Sequence, residues 1–206
     1  MRQEHWNRIF ATRSDSELGW YEADAAQTLQ FLELVPASPA ETIFVAGAGT
    51  SVLVEALLAR GARLILNDVS DAALEKLRRR IGAQPGRVAW LCHDIASPLP
   101  TGLPPVDLWI DRAVLHFLLD EADIAGYFAN LHAMLRPGGH VLLAEFAAGG
   151  APKCAGLDVH RYSFAELAAR LGPGFQPLRF EEYIYRNPAG EPRPYVYGLF
   201  RRNGRP

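Results

Sequence analysis

The sequence is poor in cysteine and contains no long run of apolar residues. Its two cysteines, Cys92 and Cys154, are too few for a disulfide framework and lack the paired spacing of a metal site. No apolar stretch approaches the roughly 20 residues that a membrane-spanning helix needs. The first ten residues, MRQEHWNRIF, lack the apolar region of a secretory signal. We therefore expect a reduced, cytoplasmic protein that binds no metal and has no membrane partner.

The sequence also lacks an excess of basic residues. It carries 21 Lys and Arg residues against 23 Asp and Glu residues, for a formal net charge of -2. Proteins that follow a nucleic-acid backbone are normally basic, so nucleic acid is not an expected partner. Hydrophobic residues make up 49% of the 206 positions, which is enough for one buried core. The chain is predicted to form a single domain over residues 1–206.

Strand-like and helix-like apolar patterns alternate along the chain. Two helical segments at residues 4–10 and 23–35 are predicted to form an N-terminal helical flap over residues 1–35, and Pro36 and Pro39 close it. The core is predicted over residues 42–206. Its predicted helices are 51–60, 70–80, 121–135 and 163–171, and its predicted strands are 42–46, 63–67, 87–92, 106–111, 140–146, 176–186 and 193–202.

This alternation predicts an α/β fold with a Rossmann-like, doubly wound sheet. Seven strands are expected, mostly parallel, with helices on both faces. The last two strands, joined by a turn at residues 187–190, predict a C-terminal antiparallel hairpin. Ligands of such sheets bind beyond the carboxyl ends of the strands. The loops after residues 46, 67, 92, 111 and 146 are therefore the expected site.

The loop after the first core strand carries two glycines, Gly47 and Gly49, which permit a tight turn and close approach of a ligand to the backbone. A dinucleotide fingerprint would place a third glycine at position 52, where this chain has Val52. Asp68 ends the second strand, where a carboxylate can accept ribose hydroxyls, and Asp94 follows the third. Each feature alone also fits a plain turn or a helix cap. Together they indicate an adenosine ligand without a pyrophosphate.

These residues resemble the class I S-adenosylmethionine-dependent methyltransferases over nearly the whole chain. The resemblance extends to residues 107–117, to the Leu-Arg-Pro-Gly-Gly stretch at 135–139, to Trp6 with Trp20-Tyr21, and to Lys-Cys-Ala-Gly-Leu at 153–157. One departure is Val45, where the family usually has an acid two residues before the first glycine. Another acid or backbone carbonyls would then hold the methionine amino group.

The resemblance implies S-adenosylmethionine as the methyl donor and S-adenosylhomocysteine as the product. It also implies a set of donor-binding residues at the strand ends and in the N-terminal flap. They are Gly47, Ala48, Gly49, Thr50, Asp68, Val69, Asp94, Ile95, Asp111, Arg112 and Trp20.

Two residues near the end of the fourth strand are candidates for proton removal from the acceptor. Asp111 ends that strand and His116 follows five residues later, although a packed histidine is an equally good interpretation of His116. Arg112 either binds an anionic acceptor or pairs with Asp111. The candidate substrate-binding residues are Tyr21, Arg112, Lys153, Cys154 and Arg161.

The expected function is methyl transfer by in-line displacement to a small molecule with a sulfur, nitrogen or oxygen nucleophile. A protein-lysine methyltransferase is the alternative, because related enzymes share the compact fold and the aromatic N-terminal pattern. A non-catalytic donor-binding protein or an NAD-dependent oxidoreductase fits the residues less well. The expected assembly is a monomer or a homodimer.

Overall fold

Seven strands form one twisted sheet in a computed structural model that describes residues 2–36, 38 and 41–204. The sheet has the order β3-β2-β1-β4-β5-β9-β8, with β1 to β5 parallel and the last two antiparallel. Its strands are β1 (Thr42–Ala46), β2 (Arg63–Asp68), β3 (Val88–Cys92), β4 (Val106–Arg112), β5 (Leu135–Phe146), β8 (Phe175–Arg186) and β9 (Pro192–Arg202). A separate two-stranded hairpin, β6 (Lys153–Cys154) and β7 (Leu157–Asp158), lies between β5 and β8. The predicted mostly parallel sheet with its antiparallel C-terminal hairpin is confirmed.

Helices cover both faces of this sheet because the side chains of each strand alternate in direction. The six helices in the described ranges are α1 (Arg2–Thr12), α2 (Ala26–Leu32), α3 (Leu53–Ala59), α4 (Asp71–Ile81), α5 (Glu121–Met134) and α6 (Phe164–Leu171). Ile43 and Val45 pack in one apolar cluster with α3 and α4, whereas Phe44 and Ala46 pack in a second cluster with α5 and α6.

Strand β5 begins five residues earlier than the sequence predicts. The Arg-Pro-Gly-Gly composition indicates a turn, yet Leu135 pairs with Val106 and residues 135–139 form the first part of the strand. A register shift next to Val106 accommodates the extra backbone. Gly139 is required there because a Cβ would lie 2.9 Å from the carbonyl oxygen of Asp107. Cross-strand pairing therefore overrides the local turn preference.

The N-terminal flap is anchored on α4. Ser70 caps α4 by accepting from the Ala73 N–H, and its hydroxyl donates to Asn7 Oδ1 on α1 at 2.7 Å. The Lys76 ammonium donates to the carbonyl oxygen of Arg13. These contacts place α1 across the carboxyl ends of β2 and β3. The predicted role of Pro39 in ending the second helical segment lies outside the described residues.

None of the helices in the described ranges combines the length and the apolar character of a membrane span.

Candidate active site

A cavity opens at the carboxyl ends of β1 to β4, under helix α1. Its empty space is about 750 Å³, counting the part open to solvent. The loops after four consecutive strands contribute to the wall, as the sequence predicts. The lining residues are Arg2, Trp6, Phe10, Trp20, Gly47, Gly49, Asn67, Asp68, Val69, His93, Asp94, Ile95, Arg112, Ala113, Val114, Phe117, Leu118 and Cys154.

A second space adjoins this cavity and shares Trp20, Gly47, Gly49 and Arg112 with it. Its wall includes two more donor-site candidates, Ala48 and Thr50. It also includes Tyr21, Glu22 and Val45. The glycine loop therefore separates the two spaces and is accessible from both.

The two glycines of this loop have left-handed backbone conformations, with φ of +60° at Gly47 and +50° at Gly49. A Cβ on Gly47 would lie 2.0 Å from Cγ2 of Val114, so the loop and the segment after β4 are in direct contact. A Cβ on Gly49 would lie 3.5 Å from Cζ of Phe10, which is ordinary contact. Gly47 is thus required by both space and conformation, and Gly49 by conformation.

Asp68 lies at the centre of the cavity wall and is only 7% exposed. Its Oδ2 accepts from the Gly49 N–H and its Oδ1 accepts from the Ser70 N–H, both at 2.8 Å. Burial raises the pKa of this carboxyl to about 6, although the backbone N–H groups oppose the rise. Each carboxylate oxygen has a second lone pair, so Asp68 can still accept two hydroxyl groups of a bound ribose.

The end of β3 forms the next part of the wall. Asp94 accepts from the Ala96 N–H at 3.0 Å, and its other oxygen lies 3.1 Å from Nη1 of Arg2. Arg2 also pairs with Asp123 on α5. Val69 and Ile95 contribute apolar surface beside Asp94. This arrangement can accept a hydrogen bond from an adenine edge and enclose the flat ring.

Four aromatic side chains, three from residues 6–20 and one from the segment after β4, line one side of the cavity. The ring centroid of Trp6 lies 4.8 Å from that of Phe117 and 5.4 Å from that of Trp20, in edge-to-face geometry. Phe10 lies 6.1 Å from Trp20. We name Trp6, Phe10, Trp20 and Phe117 the aromatic lid. Such rings exclude water and attract cations to their faces.

Arg112 lies where the two spaces meet. Its Nη2 is 2.8 Å from Oε1 of Glu22, and its Nη1 donates to the carbonyl oxygen of Trp20 at 3.2 Å. Its guanidinium also lies over the rings of Tyr185 and Tyr195. The sequence allows two interpretations of Arg112, binding of an anionic acceptor and pairing with Asp111. The pairing with Asp111 is wrong, because the acid that pairs with Arg112 is Glu22. Arg112 therefore fixes the flap residues 20–22 at the cavity.

The structure does not place Asp111 or His116 on the cavity wall. Both are completely buried. The two Asp111 oxygens accept from the N–H groups of Val114 and Leu115 at 3.0 and 3.1 Å. A general base must reach the proton that it removes, so this geometry does not support the predicted catalytic role of either residue.

The two residues belong to a buried polar cluster that also contains Glu145 of β5. Oε2 of Glu145 accepts from the His116 N–H and lies 2.8 Å from Nδ1 of the same residue. Burial lowers the pKa of His116 to about 3, whereas burial and the neighbouring carboxyl raise the pKa of Asp111. The cluster thereby holds the N–H groups of three successive residues after β4, Val114, Leu115 and His116. Ala113, just before them, has a left-handed backbone (φ +71°), and its N–H donates to the carbonyl oxygen of Ala144. Asp111, Glu145 and His116 are positioning residues for this wall.

The candidate substrate-binding residues are only partly brought together. Cys154 lies on the cavity wall, and burial raises the pKa of its thiol to about 11. Tyr21 faces the adjoining space, and its carbonyl oxygen accepts from the Tyr185 hydroxyl. Lys153 is exposed and lies 3.3 Å from Asp158, and Arg161 donates to the Gly150 carbonyl oxygen. Neither Lys153 nor Arg161 lines the cavity.

The structure adds residues that the sequence interpretation missed. Arg2, Phe10 and Glu22 come from the flap, and Val114 and Glu145 come from the strand ends. A short-range pattern does not reveal them, because which flap side chain reaches the cavity depends on tertiary packing. Within the described residues, no group of three or more His, Cys, Asp or Glu side chains is arranged to hold a metal ion.

Comparison with known proteins agrees with this geometry. Residues 44–141 match the model of a methyltransferase domain. Nodulation protein S of Rhizobium tropici is 30% identical over 99 residues, which are 48% of this chain and 40% of that protein. The alignment therefore spans well under half of this curated relative.

Two solved structures share the fold over most of their length. The N-methyltransferase NodS from Bradyrhizobium japonicum WM9, in complex with S-adenosylhomocysteine, superposes with a TM-score of 0.71 at 16% identity and 97% coverage of both chains. The 1,6-didemethyltoxoflavin-N1-methyltransferase of Burkholderia thailandensis superposes with a TM-score of 0.68 at 20% identity, covering 98% of this chain and 84% of that one. The domain match over residues 44–141 and the shared fold confirm the resemblance to the class I S-adenosylmethionine-dependent methyltransferases. The methyl donor of this class is S-adenosylmethionine.

Proposed function

We propose that this protein transfers a methyl group from S-adenosylmethionine to a small-molecule acceptor and releases S-adenosylhomocysteine. The observation that carries the proposal is the meeting of the glycine loop, Asp68 and Asp94 on one cavity. The two solved relatives are named as N-methyltransferases, which supports the same reaction class. At 16% and 20% identity, they do not specify the acceptor atom of this chain.

The residues present fit the donor from end to end. Asp68 would hold the ribose hydroxyls, and Asp94 with Ile95 and Val69 would hold the adenine. The glycine loop, from Gly47 through Ala48 and Gly49 to Thr50, would follow the methionine part, with Arg112 and Trp20 beside it. Asp111 would act on the donor indirectly, by holding the backbone after β4.

Glu22 would replace the acid that is missing at position 45. It lies in the space next to the glycine loop, where Val45 also contributes to the wall. Its carboxylate is held by Arg112 and is only 14% exposed. A cationic amino group in this space would find an acidic partner in Glu22, which is the acid among the lining residues, since Val45 offers none. We therefore assign the methionine amino group to Glu22.

The donor supplies a methyl group already activated by a positive sulfur, so the chain's task is to position an acceptor in line with the sulfur–carbon bond. The aromatic lid excludes water from this bond and tolerates its positive charge. Arg112 fixes the lid residue Trp20 through its carbonyl oxygen. A closed aromatic lid favours a small acceptor over a side chain of a folded protein. We propose that the enzyme acts as a single domain in the cytoplasm, as a monomer or homodimer, without nucleic acid.

Calorimetric titration tests the donor site. We expect S-adenosylmethionine and S-adenosylhomocysteine to bind with one-to-one stoichiometry and NAD not to bind. Binding of NAD alone would contradict the proposal. A screen with methyl-labelled donor over thiols, amines, phenols, carboxylates and protein extracts tests the reaction. Label transfer to proteins only would replace the small-molecule acceptor with a protein acceptor, and donor binding without any transfer would indicate a non-catalytic protein.

A further inference from the structure

The part of the cavity nearest the end of β4 carries no side chain that can remove a proton. Within the described ranges, the ionisable residues of the wall are few, and most of them lie at the adenosine end. They are Arg2, Asp68, His93, Asp94, Arg112 and Cys154.

The acids and the histidine of this set are remote from the end of β4. His93 and Asp94 follow β3, which is three strands away from β4, a separation of about 14 Å at the usual strand spacing. His93 Nε2 also lies 3.1 Å from the carbonyl oxygen of Pro98. Asp68 is two strands from β4, and both of its oxygens accept backbone N–H groups. These groups serve the adenosine part of a donor.

The two ionisable residues near the end of β4 cannot accept a proton. Arg112 is a permanent cation. The Cys154 thiol has a pKa of about 11 and is therefore neutral near pH 7. Glu22, in the adjoining space, pairs with Arg112, although burial raises the pKa of its carboxyl. Its position beside the glycine loop assigns it to the donor's amino group rather than to the acceptor. His116 and Asp111 are completely buried behind the wall.

We propose that methyl transfer in this cavity uses no general base. The acceptor is then a small molecule whose nucleophilic atom is unprotonated when it binds, namely a thiolate or a neutral ring nitrogen. This inference rests on the proposed function. The acceptor's lone pair forms the new bond to the methyl carbon while the donor's sulfur–carbon bond breaks and its electron pair stays on sulfur. For a thiolate, an anion and a sulfonium cation become two neutral thioethers. The thiol proton has left to solvent before binding, so no proton remains for the chain to remove.

The acid strength of common acceptors explains this selection. Phenols and alkylamines have pKa values of about 10, so they bind with a proton still on the nucleophile, whereas thiols ionise at about 8.5. An alkylammonium would also lie close to the Arg112 cation. Sulfur makes favourable contacts with aromatic rings, and the wall near β4 offers Trp6, Trp20 and Phe117. A soft, unprotonated nucleophile is the acceptor that these residues suit.

A pH series on acceptors of graded acidity tests the absence of a base. The full chain is assayed with S-adenosylmethionine and substituted thiophenols, the isosteric phenols and substituted pyridines. We expect kcat/KM to rise with pH to an inflection that follows the pKa of each thiol or pyridine, and at least 100-fold lower rates with phenols. A fixed inflection for all acceptors, or phenols methylated as well as thiophenols, would overturn the inference. The inflection in the pH profile of kcat/KM should lie at the same pH for the His116→Asn variant as for the parent protein. An inflection at a different pH would assign the base to His116.

A binding measurement gives an answer that does not depend on turnover. The chain saturated with S-adenosylhomocysteine is titrated with a thiophenol in buffers of different ionisation heat, below the pKa of the thiol. We expect one proton to be released to the buffer per thiol bound, because no wall residue retains it. Uptake of that proton by the protein overturns the inference. If S-adenosylhomocysteine itself fails to bind, the proposed function fails, whereas donor binding without transfer to any thiol or pyridine overturns only the acceptor class.

Discussion

Replacement of Asp68 by alanine should weaken donor binding much more than it alters the rest of the fold. A hydrogen bond to a charged group contributes about 1.5–3 kcal/mol, which corresponds to about 10- to 150-fold in affinity. Asp68→Ala removes such acceptors from the wall, where the carboxyl is 7% exposed. The matched control is Asp71→Ala, because Asp71 is exposed in the first turn of α4 and contacts only local backbone. Calorimetric titration with S-adenosylhomocysteine compares the two variants.

The pH dependence of the parent protein provides an independent test of the same residue. Burial raises the pKa of Asp68 to about 6, so donor affinity should fall about tenfold per pH unit below that value as the carboxylate is protonated. The effect of Asp68 on the stability of the fold has the opposite sign. Because the fold raises the pKa of Asp68, its contribution to the free energy of unfolding is largest below the ordinary pKa of an aspartate and is lost as pH rises through about 6. Loss of affinity at pH 5 would therefore not reflect unfolding caused by Asp68. Equal affinities for both alanine variants, or no pH dependence, would remove Asp68 from the donor site.

Three further substitutions address the loop, the buried cluster and the flap. Gly47→Ala should abolish measurable donor binding and lower the Tm, since its Cβ overlaps Val114. Gly49→Ala should cost only about 1–2 kcal/mol of backbone strain. Equal effects of the two substitutions on thermal unfolding would contradict the overlap with Val114. Glu145→Gln should keep donor affinity within about threefold, because an amide oxygen still accepts from the backbone. Glu145→Leu should lower the free energy of unfolding by about 1–3 kcal/mol, because it leaves a buried N–H unpaired. Indistinguishable denaturation curves for the two variants would refute this role of Glu145. Glu22→Gln should lower affinity for S-adenosylmethionine at least tenfold in the same calorimetric titration, and an unchanged value would return the methionine amino group to backbone carbonyls.

The fold and the part of the cavity wall at the ends of β2 and β3 could be predicted from the sequence because their determinants are local. Alternating apolar patterns set the strands, and the carboxyl ends of parallel strands meet at one edge. Asp68 and Asp94 could therefore be assigned to the cavity from their positions alone. The start of β5 at Leu135 could not, because it depends on pairing with β4 rather than on the turn composition of residues 136–139.

The rest of the cavity wall depends on contacts between distant residues. Asp111 and His116 occur at positions typical of catalytic groups, yet Glu145, 29 residues from His116, draws the histidine into the interior. Likewise, Glu22 reaches Arg112 only because α1 packs on α4 and brings the flap over the sheet. Sequence spacing reveals neither contact, since both require the three-dimensional arrangement of the sheet and the flap.

A crystal structure of the chain with S-adenosylhomocysteine shows directly whether this cavity binds the donor. We expect the ribose hydroxyls on Asp68, the adenine between Val69 and Ile95 with its edge toward Asp94, and the amino group beside Glu22. The homocysteine sulfur should face the aromatic lid. Density for the product elsewhere on the surface, or a cavity that stays empty at saturating concentration, would contradict the assignment of this cavity as the methyl-transfer site.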